Sequence, residues 1–210
     1  FFRETSLLQF PILKNYNFGM DSAGSLIYSD SLPLLAMIFR PFSNSLDFHF
    51  QYFGWWIFIS IFLQCFFSLK IMDIFVESKI YKFISTVFFV LSPIMLFRYN
   101  MGHDSLMSQW LILCALYFYL KEKPTSYLFW LFIILFSLLI HAYFFVMILI
   151  IFLIELLKQI YKKNQKFKIV SIKLLKTILI SILFAPESNE FSISSFNTDA
   201  GRSITSPAAI

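Results

Sequence analysis

The sequence predicts an all-α, polytopic transmembrane helical bundle with an outward-facing N-terminal loop region. Three observations predict it. Of the 210 residues, 59% are hydrophobic and only 14% are charged, against about 25% charge in soluble domains, and the mean hydropathy is +0.74. A run of thirty-one residues, Pro124 to Ile154, contains no Asp, Glu, Lys or Arg. Lysines cluster at both ends of that run and recur between the other apolar stretches.

Residues 1–49 mix polar and apolar groups around Pro11, Gly19, Gly24, Pro33 and Pro41, and no window there is long enough to span a bilayer. They read as an extracytoplasmic loop. Its apolar stretch from Ser31 to Phe39 reads as a short interfacial helix, with Ser29, Asp30 or Ser31 as N-cap and Pro33 in the first turn. Spans are predicted over 50–69, 83–97 (kinked or ended by Pro93), 105–120, 126–140, 142–157 and 169–185. The last holds Lys173 and Lys176. The uncharged run is divided because a single helix of that length would be about 46 Å long. It would have to tilt by roughly 50° to fit a core about 30 Å thick. The polar interruption from Ser137 to Tyr143, centred on His141, marks the break. Residues 186–210 are polar and Ser-rich and read as a poorly ordered tail, or a loop cut from its context. The chain begins with Phe1 and shows no signal-peptide pattern, so it reads as a fragment lacking an N-terminal span.

This threading sorts the charges. One set of loops holds twelve of the seventeen basic residues against four acids, Asp73, Glu77, Glu122 and Glu155, a net of +8; the other holds five basic residues against eight acids, a net of −3. The positive-inside rule assigns the lysine-rich side to the cytoplasm. The overall charge of +5 is therefore a topology signal, with no nucleic-acid partner implied. Cys65 and Cys114 lie inside apolar runs and read as packing residues, not as a disulfide or metal pair.

Residues 1–49, the 98–104 turn and the His141 turn fall on the outward side together, and they carry most of the polar groups suited to chemistry. Asp30 reads either as a helix cap or as a carboxylate held at a helix N-terminus beside a substrate's cation or sugar hydroxyls. In Arg98-Tyr-Asn-Met-Gly-His-Asp104, Gly102 suits a helix C′ position and Asp104 the N-cap of the next span. In the functional reading, Arg98 meets a phosphate and His103 is an acid, base or metal ligand. Gln109, one turn from Ser105, faces protein or a cavity. Tyr143 reads as an interfacial anchor, and His141 as either a turn residue or a site residue. Glu155 reads as a headgroup-level residue in a weak i,i+3 pair with Lys158. There is no CxxC and no GxGxxG.

Several words in the chain resemble a family of uncharacterised bacterial polytopic membrane proteins. They are Phe2-Arg3, Phe10-Pro11 through Asn15 to Gly19, Tyr28-Ser-Asp30-Ser-Leu-Pro33, Phe50 through Gly54-Trp-Trp, Leu91-Ser-Pro93, Gly102-His103, Gln109-Trp and Ile140-His141-Ala-Tyr143. That family is similar to the GT-C glycosyltransferases, which move a sugar from a polyprenyl-phosphate carrier onto an acceptor on the outer face. The resemblance covers roughly residues 1–185. It implies a transferase in the bacterial cytoplasmic membrane, with membrane lipid and a lipid-linked sugar donor as partners and a divalent cation as a candidate cofactor. Asp30 and His103 would be the catalytic residues. Arg40, Arg98, Gln109, His141 and Tyr143 would bind substrate. It also implies that the family's principal acid lies upstream of Phe1. The chain departs from the pattern at Ala142, where Pro is expected, and at Asp104, where an apolar residue or His is expected. A transporter or flippase of a lipid-linked precursor and a non-catalytic membrane scaffold are the competing readings.

Overall fold

Apolar helices decide the architecture, and their ends follow from local chemistry. A computed structural model describes residues 14–15, 24–25, 32–47, 49–121, 125–161 and 167–184. Lys14–Asn15 (β1) and Gly24–Ser25 (β2) form a two-residue antiparallel pair. Eight α-helices follow among the described residues: α1 Pro33–Phe39, α2 Phe53–Phe75, α3 Lys79–Val90, α4 Pro93–Asn100, α5 Trp110–Leu120, α6 Tyr127–Leu138, α7 Ala142–Tyr161 and α8 Phe167–Phe184. Short 3-10 turns lie at Arg40–Phe42 and Ser105–Met107.

Several expected boundaries move. The span predicted over 50–69 runs on to Phe75, so Lys70 and Asp73 are helical and the loop after it is only 76–78. The 83–97 span is two helices. Leu91 is the C-cap of the first, and Ser92 caps the second, its Oγ accepting from Met95 N, with Pro93 as first helical residue. The 105–120 span starts as a 3-10 turn, and the N-cap of α5 is Gln109; Asp104 precedes the 3-10 turn and makes no cap bond. The cap of α1 is Leu32, not Ser29, Asp30 or Ser31. Leu32 sits in the left-handed region at φ 46° with no side-chain cap bond. Such a conformation is strained for a branched apolar residue, and Leu32 is held there by complete burial. Asp30 and the 186–210 tail lie outside the described residues.

Three helical segments are long and apolar enough to cross a membrane: α2, the α3–α4 stretch Lys79–Asn100, and α7. At 20 residues, α7 is about 30 Å long, matching a hydrocarbon core. The 12 residues of α6 make about 18 Å, shorter than that core.

The order of packing is α3 on α2, α2 on α5, α5 on α7, with α6 and α8 against α7 and each other. The α2–α3 pair is antiparallel, tied by Lys82 Nζ to Asp73 Oδ1 at 2.6 Å near one end and by Gln64 to the Phe89 carbonyl further along. The parallel α5–α7 pair is fixed where α5 ends. There Tyr117 O accepts from Lys121 N, Phe118 O from Thr125 Oγ1, and Tyr119 O from Lys158 Nζ at 2.7 Å. Those are carbonyls that a helix C-terminus leaves unpaired. Tyr127, near the start of α6, reaches Thr177 Oγ1 of α8 at 3.0 Å. The core lies between α2, α5, α6 and α7 around Trp56, Trp110, Leu111, Trp130, Ile134, Phe144 and Phe152.

Polarity in α2 is inverted relative to a water-soluble helix. Its buried face is Trp56, Ser60, Gln64, Ser68 and Ile71, while Trp55, Phe58, Phe62, Phe66 and Leu69 are exposed. In α8, Thr177 and Ser181 are buried while Leu175, Leu179 and Ile182 are exposed. A helix in water buries its apolar stripe; one in lipid turns polar groups toward protein.

Candidate functional site

The N-terminal ends of α2, α5 and α7 meet at one end of the bundle, together with α1 and the turn after α4. The backbone N–H of Leu34 donates to Leu139 O at 3.0 Å, which seats the start of α1 on the tip of the α6–α7 hairpin. Phe39 of α1 stacks on Tyr52, at 5.7 Å between centroids, just before α2. Burial pushes the Tyr52 phenol above its ordinary pKa, so it stays protonated. One turn into α2, Trp56 Nε1 donates to Ser108 Oγ at 3.1 Å, joining α2 to the segment that leads into α5.

Within that segment the chain reverses through a Schellman motif. His103 N donates to Arg98 O and Gly102 N to Tyr99 O, with Gly102 at φ +70°. Arg98 Nη1 donates to Leu106 O at 2.9 Å and so braces the turn it belongs to. A guanidinium has several further N–H donors, which leaves Arg98 able to meet an anion. His103 is exposed; Gln109 and Arg40 are half-buried. At the hairpin tip, His141 Nδ1 accepts from Tyr143 N at 3.1 Å. The ring therefore caps α7, and a neutral His141 carries its proton on Nε2. Tyr143 is exposed beside it, with ring centroids 6.3 Å apart.

So Arg40, Arg98, His103, Gln109, His141 and Tyr143 all lie at this end, on three stretches far apart in sequence. Asp30 precedes Leu32 by two residues and lies outside the described residues. Lys70, Lys79, Lys82, Lys121 and Lys158 lie at the opposite end, around the last turns of α2, α5 and α7. The family described as Domain of unknown function (DUF6311) matches residues 1–203. The chain belongs to the DUF6311 family. No curated protein and no solved structure matches it.

This DUF6311 chain also buries polar groups away from that end. Glu155 is 3% exposed, and its expected i,i+3 pairing with Lys158 is present. Its Oε1 accepts from Gln159 Nε2 at 2.9 Å, and its Oε2 lies 3.6 Å from Lys158 Nζ. The i,i+4 spacing of Glu155 and Gln159 was the available signal. Gln64 and Ser60 are buried in mid-α2, and their common helical face was likewise readable. Among the described residues, no three His, Cys, Asp or Glu side chains gather as a metal site. The described residues thus give a divalent cation no ligand set.

Proposed function

We infer that this DUF6311 chain is a multi-pass protein of the bacterial cytoplasmic membrane, a lipid-linked sugar transferase working at the outer face. The observation that carries the reading is the separation of the two ends. Arginine and histidine side chains gather at the end formed by α1, the 98–104 turn and the His141 tip, and the lysines gather at the other. The inverted polarity of α2 and α8 supports a bundle in lipid, and the lysines orient it.

Sugar transfer suits that end. The acceptor's hydroxyl oxygen attacks the anomeric carbon, the bond to the carrier's phosphate breaks, and the hydroxyl proton goes to a base. Asp30 and His103 are the candidate bases. Arg98, with Arg40 near α1, supplies positive charge for the departing phosphate. The N-termini of α2, α5 and α7 add their positive dipole ends. His141, Tyr143 and Gln109 line the same end as binding groups. Transfer from a labelled polyprenyl-phosphate sugar by membranes carrying the full-length protein tests this. Arg98→Met is expected to lose transfer about a hundredfold or more, the loss typical of removing one charge-stabilising donor, while inserting normally. Unchanged transfer would remove Arg98 from the site.

Topology has its own test. In a chain with Cys65→Ala and Cys114→Ala, Asn44→Cys is expected to react with an impermeant thiol reagent on intact cells. Tyr161→Cys is expected to react only after permeabilisation. The reverse pattern would invert the orientation.

One observation favours a second reading, transport or flipping of a lipid-linked precursor. The Lys79–Asn100 stretch breaks at Leu91–Ser92, near its middle, and interrupted helices at mid-membrane mark many transporters. Carrier movement across vesicles without sugar transfer would favour it.

A further inference from the structure

From Pro33 to Phe42, α1 and the 3-10 turn that follows it run on as one rod of ten residues carrying a single charge, Arg40. The inner side of the rod is occupied. Pro33 and Ala36 are buried, Leu34 N donates to Leu139 O, and Phe39 lies on Tyr52. The side turned away from the bundle is just as apolar. Met37, Ile38, Pro41 and Phe42, at i, i+1, i+4 and i+5, form one arc opposite Ala36, and all four are exposed. A helix apolar on every side belongs in a protein core or in lipid, and this one lies at an end of the bundle.

The depth of that end points to lipid as well, because charges stand inside the ends of the long helices. From Phe53 to Lys70 the rise along α2 is about 25 Å, and from Ala142 to Lys158 along α7 about 24 Å, against a hydrocarbon core of about 30 Å. Snorkelling does not make up the difference, since the lysine heads are turned elsewhere. Lys70 Nζ lies back over the Phe66 ring, 5.7 Å from its centroid, and Lys158 Nζ is held by Tyr119 O at 2.7 Å. With those lysines at one boundary of the core, the start of α2 and the tip of the α6–α7 hairpin stop about 5 Å short of the other, and tilt shortens their reach further.

We propose that outer-leaflet phospholipid covers the Met37–Phe42 arc, so that the rod lies among acyl chains just beneath the headgroups. The proposal rests on the reading of the chain as a membrane bundle oriented by its lysines. The 98–104 turn, at the same end, then meets lipid headgroups before it meets open water, whatever reaction that end performs.

The test is a set of single nitroxide labels on the Cys65→Ala, Cys114→Ala chain in phospholipid nanodiscs. Each is read by collision with oxygen, which concentrates in lipid, and with a water-soluble nickel complex, which does not. Asn44 is exposed just past the rod. A label at Ile38→Cys is expected to lose nearly all nickel collisions relative to one at Asn44→Cys, and to retain its oxygen collisions. Nickel collisions at position 38 equal to those at 44 would put the arc in water and overturn the proposal. Loss of both kinds at 38 would mean that protein covers the arc, which overturns it too. Phe62→Cys, on the exposed face of mid-α2, separates this failure from that of the bundle. A label shielded from nickel at 62 leaves the membrane reading standing when 38 is open, whereas nickel access at 62 removes both. If Ile38→Cys does not accumulate in membranes, Met37→Cys puts the label on the same arc, and the same outcomes decide.

Discussion

Lys158→Met should destabilise the bundle by about 3 kcal/mol, and adding Glu155→Gln to it should recover most of the loss. The Glu155 carboxylate is buried among α5, α7 and their neighbours, and the counter-charge facing it is the Lys158 ammonium at 3.6 Å. That ammonium also donates to the Tyr119 carbonyl and lies 4.5 Å from the centroid of the Tyr119 ring. Methionine keeps the apolar stem and removes all three contacts. What remains is a buried carboxylate bonded on one oxygen to Gln159 and on the other to nothing. Removing one member of a buried pair typically costs 3–5 kcal/mol, whereas removing both charges together is often neutral. The low end applies because the Lys158 side chain is 28% exposed, so water screens part of the pair. Thermal unfolding of the purified protein in nanodiscs measures it. A Lys158→Met protein that unfolds like the parent would refute the role of the pair. A double variant as damaged as the single one would assign the loss to the Tyr119 contacts alone.

The helical architecture is legible in the sequence because the signals behind it are local and repeated. The uncharged stretch 124–154 is too long for one span, and α6 and α7 divide it between Leu138 and Ala142, around His141. Helix ends are less legible. Lys70 and Asp73 look like loop residues, yet they extend α2, because a helix emerging from lipid can carry charges in its last turns. Pro33 does open α1, but its capping residue is not legible, for a different reason. Ser29, Asp30 and Ser31 all have capping chemistry, but tertiary burial of Leu32 fixes the boundary instead. Contacts between distant segments leave no trace in a single sequence. Nothing in the stretch around Gln64 says that its amide faces Phe89, and nothing near Glu155 says that Lys158 turns toward α5. The candidate site divides the same way. Its residues are legible as polar interruptions of apolar runs. Their gathering at one end depends on the Leu34–Leu139 and Trp56–Ser108 bonds, which only the fold reveals.

Asp30→Asn is expected to lower sugar transfer about 10²–10³-fold while leaving expression and membrane insertion intact. The change removes a negative charge and keeps the side chain's size. It also keeps capping ability, since Asn and Asp cap helices about equally well. Capping is in any case not what the start of α1 draws on: its N-cap position is Leu32, which makes no side-chain cap bond, and the helix is seated by Leu34 N on Leu139 O. A structural role for Asp30 as a cap therefore predicts almost no effect. A base for the acceptor hydroxyl, or a carboxylate holding a substrate cation, predicts loss of an electrostatic contribution of order 2.7–4 kcal/mol to the barrier. The two outcomes differ by orders of magnitude in rate, so a single assay of transfer from a labelled polyprenyl-phosphate sugar separates them. Four residues downstream, at Leu34, the chain is docked against the hairpin tip that carries His141. Full activity in a normally inserted Asn variant would take Asp30 out of the chemistry and leave His103 as the base to be tested next.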